Sequence, residues 1–443
     1  MTKRQRLTLI TTIIGSGIVI LDGTIVNLAL PKIASGLHAN FAGLQWVVDG
    51  YLLSLSALIL LGGSLGDIFG RKRTYLLGLI GFGAASLVCG LAVNDVMLVL
   101  TRILQGIFGA LLVPGGLAVI NTNFDRSVRG AAIGAWSAWS AIFAAIGPLL
   151  GGYILGIASW RWIFFINVPL VAICFVIGSG AIDESHGRTR RVDILGACLA
   201  ALSLAGLTYG LIEGPAAHWP VKAYVAIAAG VVAGSLFVWH ELHSKAPMVD
   251  FALFRSRNFT GSNIMTFMMY GALGGFTLAL VVYLQTGLHY SAIKAGVSLL
   301  PLTILLFLFS KRIGALAGRI GPRLFMTLGP IIAGLGMLML LGLHPGVSYL
   351  SAVLPGVIVF AAGMTLLVAP LTTTVMTSVE DENSGIASGI NNAVARIGGL
   401  LVVAVLGLLG PAHVFRFGMI LGSSLAILAG LVSWFTIQNK PVS

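Results

Sequence analysis

Fourteen apolar runs of about twenty residues, separated by short polar connections, leave this chain very few folds. A helix rises about 1.5 Å per residue and needs roughly 20 apolar residues to cross the hydrocarbon of a bilayer. The runs fall at 7–30, 44–63, 75–93, 97–120, 131–156, 163–180, 193–212, 221–240, 259–283, 293–313, 325–343, 350–370, 384–409 and 415–436. The run at 293–313 is the least clean, because it ends on Lys311 and Arg312. Charged residues make up 9% of the 443, against about 25% in soluble domains. So few charges cannot clothe a soluble body of this length, so a lipid bilayer is the expected surrounding. The reading is an all-α polytopic membrane protein.

The basic residues orient it. Loops on one side hold nineteen Lys and Arg and loops on the other hold five, namely Lys32, Arg161, Lys222, Lys294 and Arg416. The rich side is expected to be cytoplasmic, with both termini there, in the cell's plasma (inner) membrane. Trp46, Trp160, Trp162 and Trp219 fall near the outer ends, where an indole suits the interface. The net charge of +12 is spread over these loops and forms no basic domain or helix, which argues against nucleic acid as a partner. Cys89, Cys174 and Cys198 lie in apolar runs without CxxC or Cys/His spacing, so neither a disulfide framework nor a metal site is expected. No HExxH, nucleophile constellation or nucleotide-binding Gly-rich loop is present, so no cofactor and no enzyme chemistry is expected. The basic start before the first run lacks a small-residue cleavage pattern, and no cleaved leader is expected.

Two segments recur after about 250 residues. The stretch from Gly63 through Asp67 and Gly70 to Arg71 is echoed from Gly314 through Gly318 and Gly321 to Arg323. The stretch Gly130 to Gly134 is echoed by Gly385 to Gly389. The first pair is expected in loops after the second helix of a six-helix set, the second pair at the start of the fifth helix. The resulting division is a six-helix bundle at 1–182, two linker helices with their loops at 183–257, and a second six-helix bundle at 258–443. Parallel six-helix repeats are a transporter architecture.

With these residues in view the chain resembles the major facilitator superfamily, and within it the fourteen-helix drug:proton antiporter branch. Gly63, Leu65, Gly66, Asp67, Gly70 and Arg71 to Arg73 match its signature between helices 2 and 3. Leu21-Asp22-Gly23-Thr24 through Asn27 to Pro31 resembles the helix 1 motif of the branch, and Arg102, Gln105, Gly106 and Gly109 the helix 4 motif. Gly147-Pro148 through Gly152 is similar to the helix 5 motif, and Pro247 through Asp250 to Phe254 to the stretch before helix 9. The second loop copy departs from the pattern, with Gly318 where the first has Asp67.

Ionisable groups in hydrocarbon are costly and mark function. Of fourteen acids only Asp22 and Asp49 fall clearly within spans, and Arg102 is the basic residue deep in the N-terminal half. The span ends place Asp22 about 12 Å, and Asp49 and Arg102 about 8 Å, below the outer ends of their helices. The resemblance implies that these helices adjoin a central cavity where the three can meet. They are the expected proton-coupling cluster, one negative charge in excess, with Asp22 as proton carrier and Asp49 as selector of cationic substrates; a purely structural Asp22–Arg102 pair is the alternative. The resemblance also implies a gate of Gly63, Asp67, Gly70, Arg71 and Arg73, with Asp67 reaching the start of helix 13 near Ser384 and Gly385. Gly147 and Pro148 offer a hinge, or close helix packing. Substrate contacts are expected from Asp49, Asn27, Trp136, Trp139, Met265, Met269, Tyr270, Asn391 and Asn392, against the plainer reading of an ordinary packed or lipid-facing helix for the Met residues and of interfacial or packing roles for the Trp residues. Arg396 joins the two asparagines on helix 13.

The function implied is proton-coupled export of an amphipathic, cationic small molecule by a monomer. A dedicated exporter of one metabolite, peptide or lipid is the alternative, and a non-transporting membrane sensor a third reading.

Overall fold

The computed structural model describes residues 1–187, 193–244, 247–249, 251–379, 384–406 and 413–439; the side chains at 60, 126, 127, 129–131, 134, 137, 138, 141, 144, 145, 384–386 and 388 are outside the description. Arg188, Arg190, Arg191, Lys245 and Lys440 of the charge tally, and Asp250 of the stretch before helix 9, lie outside the described residues. Among those described, thirteen helices are long and apolar enough to cross a membrane. Arg126–Ile157 is a further helix of 32 residues. This agrees with the fourteen runs of the sequence.

In chain order the helices are α1 (Lys3–Leu37), α2 (Phe41–Phe69), α3 (Arg71–Gly90), α4 (Asp95–Asn123), α5 (Arg126–Ile157), α6 (Trp162–Ala181), α7 (Ile194–Ala216), α8 (Val221–His243), α9 (Arg257–Thr286), α10 (Ala292–Ile320), α11 (Arg323–Gly342), α12 (Tyr349–Thr377), α13 (Ser384–Leu406) and α14 (Val414–Thr436). Their starts are set by short polar side chains that satisfy orphan N–H groups. Asn40 accepts from the Gly43 N–H at 2.8 Å, Asn94 from Met97 at 2.8 Å and Ser291 from Lys294 at 3.2 Å. Thr2 and Gln5 form a reciprocal capping box on α1.

Three boundaries differ from the sequence reading. Helix α1 runs on to Leu37 rather than ending near Leu30, because Pro31 is tolerated inside it. Asp22 therefore sits fifteen residues, about 22 Å, from the end of α1. Helix α2 continues through Gly63 and Asp67 to Phe69, so that signature is mostly helical; no breaker intervenes before Gly70, whose φ of +104° ends the helix. Helix α10 carries Lys311 and Arg312 within it and stops only before Gly321.

The chain forms two compact units, one of Met1–Leu207 with Val225–Met248 and one of Thr208–Tyr224 with Val249–Ser443. In the first, α2 packs on α4, α3 on α4, and α1 on α5. Gly147 lets α5 approach α1 closely, since a Cβ there would strike the Thr24 side chain. In the second, α9 packs on α13 and α14, and α11 on α12 and α14.

The repeat extends to details the sequence did not disclose. Gly321 has φ +96°, matching Gly70. Beside Gly70, Glu184 accepts from the N–H groups of Lys72 (3.0 Å) and Arg73 (3.2 Å) and so caps α3. Beside Gly321, Asn439 accepts from the Arg323 N–H at 3.1 Å and caps α11. Trp136 on α5 donates to Ser16 on α1 at 3.1 Å, and Asn391 on α13 donates to Thr266 on α9 at 2.7 Å. Each pair recurs after about 250 residues. Replacing Glu184 with alanine is expected to cost about 1 kcal/mol, the usual worth of an N-cap, read as a lower unfolding midpoint in detergent.

Candidate functional site

Among the described residues of the first unit, one buried ion pair stands out. Asp22 on α1 and Arg102 on α4 form an ion pair between Oδ2 and Nη1, with both side chains at most 1% exposed. The other carboxylate oxygen of Asp22 accepts from Gln105 Nε2 at 3.0 Å and from Asn167 Nδ2 at 3.1 Å. Arg102 donates through Nε to the Val47 carbonyl at 3.0 Å and through Nη1 to Gln105 Oε1 at 2.7 Å. Its guanidinium lies 4.1 Å over the Tyr51 ring. Tyr51 in turn donates its hydroxyl to the Val19 carbonyl at 3.0 Å. Each charge is thus matched by a counter-charge and by hydrogen bonds, which is the condition under which a buried pair is tolerated.

Asp49 is not part of this network. It is fully buried, and neither carboxylate oxygen has a hydrogen-bond partner among the described residues. Helix geometry gives the reason. Arg102 packs against Val47 and Tyr51, one turn apart on a single face of α2. Asp49 follows Val47 by two residues and so points about 200° away around the helix. The expected three-residue cluster is therefore corrected to a pair plus a separate acid. The pair carries one charge of each sign, and Asp49 is the acid without a counter-charge among the described residues. An ionised carboxylate buried without partners costs several kcal/mol, a cost that a proton or a cation removes.

Two of the expected gate residues, Asp67 and Arg71, meet in the first unit. Asp67 Oδ1 accepts from Arg71 Nε at 2.9 Å and from Nη2 at 2.8 Å, a fork within one turn of chain. Arg73, largely exposed, lies 3.7 Å from Glu184. The side chains at Ser384 and Gly385, named as the partner of Asp67, are outside the description.

The expected substrate contacts divide. Met265 and Met269 are corrected: both are fully buried in the second unit, and the sulfur of Met265 accepts from Ser433 at 2.7 Å. Their helix is packed on two sides by α13 and α14, so they are core and present no surface. Asn391 also donates to Asn263 at 3.2 Å, which makes it a tie between α13 and α9. Asn27 donates to the Gly23 carbonyl of its own helix at 3.2 Å. Trp139 and Asn392 are exposed, and Tyr270 and Trp136 are half-buried. Trp160 is buried rather than interfacial, with the Arg161 guanidinium 4.3 Å over its ring.

Gln105 and Asn167 are the site residues that sequence reasoning missed. Gln105 stood in a recognised motif but was given no role. Asn167 is the lone amide in the apolar run 163–180, and a polar residue at that depth was the available signal.

A second polar cluster lies on the linker helices. His240 Nε2 sits 2.9 and 3.1 Å from the two oxygens of Asp193, just before α7, and Asp193 also accepts from the Gly196 N–H at 2.8 Å. Burial pushes the Asp193 carboxyl up, but the Gly196 N–H, His240 and Glu241 outweigh it and hold it below the usual carboxylate range. A depressed carboxyl contributes stability above its unfolded value, about 3.9, and loses it as pH falls through the folded value. Spin labels at Leu195 and Leu242 are therefore expected to keep a fixed separation from pH 8 to about pH 5, and to spread only below about pH 4.

Against known proteins, the sequence profile of the Major Facilitator Superfamily matches residues 12–403. The multidrug resistance protein Stp of Mycobacterium tuberculosis is 36% identical over 92% of this chain and 76% of its own length. The methylenomycin A resistance protein of Bacillus subtilis is 33% identical over 90% of this chain and 86% of its own. Among solved structures, the peptide transporter POT in complex with sulfate superposes with a TM-score of 0.72 at 13% identity, covering 98% of this chain and 97% of that one. That likeness is one of fold.

Proposed function

Because the chain belongs to the Major Facilitator Superfamily and is a multi-pass membrane transporter, we propose that it exports amphipathic, cationic small molecules in exchange for protons, by alternating access. The observation that carries this reading is Asp49, a buried acid with no hydrogen-bond partner among the described residues, in the same unit as the paired Asp22 and Arg102. Asp49 is closed off in this structure; alternating access would open it to a proton or to a cationic substrate in turn, and competition between the two would produce exchange. Asp22 and Arg102 then hold the helices, and Asp49 takes the proton-carrier role first read for Asp22 while keeping its own role toward cationic substrates. The names of the relatives support efflux of drugs and antibiotics.

The termini are placed in the cytoplasm, in the plasma membrane, on the basic-loop asymmetry of the sequence. The functional division proposed is 1–182 and 258–443 as the moving bundles, with 183–257 as the linker. Asp67, Arg71 and Gly70 form the gate, and Trp136, Trp139, Tyr270 and Asn392 remain the proposed substrate contacts. A dedicated exporter of one compound is the second reading, favoured by the relative named for a single antibiotic.

Proteoliposomes with an imposed pH gradient test the proposal. Ethidium and tetraphenylphosphonium are expected to accumulate and to leak back when a protonophore is added. Accumulation that ignores the protonophore would end the proton-coupled reading, and transport of one compound alone from a broad panel would favour the dedicated exporter.

A further inference from the structure

Asn167 has an unusual hydrogen-bond balance. It is 1% exposed and donates both amide hydrogens, one to Asp22 Oδ1 at 3.1 Å and one to Ser86 Oγ at 3.0 Å. Its own oxygen Oδ1 has no partner among the described residues. A buried acceptor left unpaired costs about 1–3 kcal/mol. An apolar residue of similar size would avoid that cost, so a helix-packing role alone does not account for an amide here.

The backbone positions Asn167 for this contact. Helix α6 is broken at Ile166, between Trp162–Phe165 and Asn167–Ala181. Pro169 explains the break, since its ring lacks an N–H and clashes with the carbonyl four residues back, that of Phe165. Asn167 is the first residue beyond the break. Ser86 on α3 is fixed in turn by donating to the Phe164 carbonyl at 2.9 Å.

We propose that Asn167 is a positioning residue, which together with Gln105 holds the Asp22 carboxylate charged and turned toward Arg102, so that Asp22 stays out of the exchange that Asp49 carries out. The three donors on Asp22 come from α4 and α6: Arg102, Gln105 at 3.0 Å and Asn167 at 3.1 Å. A hydrogen bond to a charged group contributes more than a neutral one, so deleting one of the three weakens the hold on the anion. The inference deepens the proposed function and rests on it only for the role of Asp49.

The test is an infrared pH titration of the purified full chain in lipid nanodiscs. The carboxylic-acid C=O band absent in Asp22→Asn reports protonation of Asp22. In Asn167→Ala this band is expected to appear at higher pH, corresponding to about tenfold tighter proton binding by Asp22. Asn167→Gln, which keeps an amide donor, is expected to move back toward the native titration. Should Asn167→Ala fail to fold, Asn167→Val, which also lacks a donor, is titrated in its place. An Asp22 band at the same pH in the native and donor-less proteins overturns the proposal. The titration requires no transport, so a protein that proves not to be proton-coupled would leave this result standing. An unmoved titration in a proton-coupled protein removes only the role of Asn167.

Discussion

Arg102→Leu is expected to lower the stability of the protein by about 3–5 kcal/mol, the cost of stripping one partner from a buried ion pair. The side chain is 1% exposed and its guanidinium serves Asp22, Gln105, the Val47 carbonyl and the face of Tyr51 at once. Leucine fills part of the space but leaves Asp22 as a buried anion held only by Gln105 and Asn167. The double variant Asp22→Asn with Arg102→Leu removes that charge and is expected to recover part of the loss. Unfolding midpoints in detergent, read with and without the second substitution, separate the electrostatic cost from lost packing. Equal midpoints for the single and double variants would mean that packing alone matters here.

Asp49→Asn is the second large effect, and it falls on function rather than stability. Asn has the same shape and no charge, so it imitates the protonated acid permanently. The variant is expected to fold at least as stably as the native chain, since Asn keeps the shape of the protonated acid and can never present a buried charge without partners. Its pH-gradient-driven accumulation of cations in vesicles is expected to drop to the level of protein-free vesicles. Asp22→Asn should behave in the opposite way, losing stability because Arg102 is left without its counter-charge.

The continuous apolar runs revealed the helices because lipid leaves little else to a chain of this composition. Helix ends were less legible. The run at 7–30 becomes Lys3–Leu37 because residues beyond the hydrocarbon continue a helix without being apolar. The Asp22–Arg102 pair was also legible, as two opposite charges in otherwise uncharged spans that the motif resemblance allowed to meet. The orientation of Asp49 was readable in principle from its offset from Val47 and Tyr51, but only once the face met by Arg102 was known. Asn167 was legible only as a lone amide in an apolar run; its partner and that of Glu184 were not, since they lie 145 residues away at Asp22 and 112 residues away at Lys72. Met265 and Met269 misled because a flexible thioether suits a cavity wall and a packed core alike.

Proton release on ligand binding tests the central claim most directly. Purified protein in a weakly buffered detergent solution is mixed with tetraphenylphosphonium while pH is followed. If one buried acid serves proton and cation in turn, about one proton per bound ligand is expected from the native chain and none from Asp49→Asn. Ligand binding that releases no proton from the native chain, or that releases the same number from Asp49→Asn, would contradict the account.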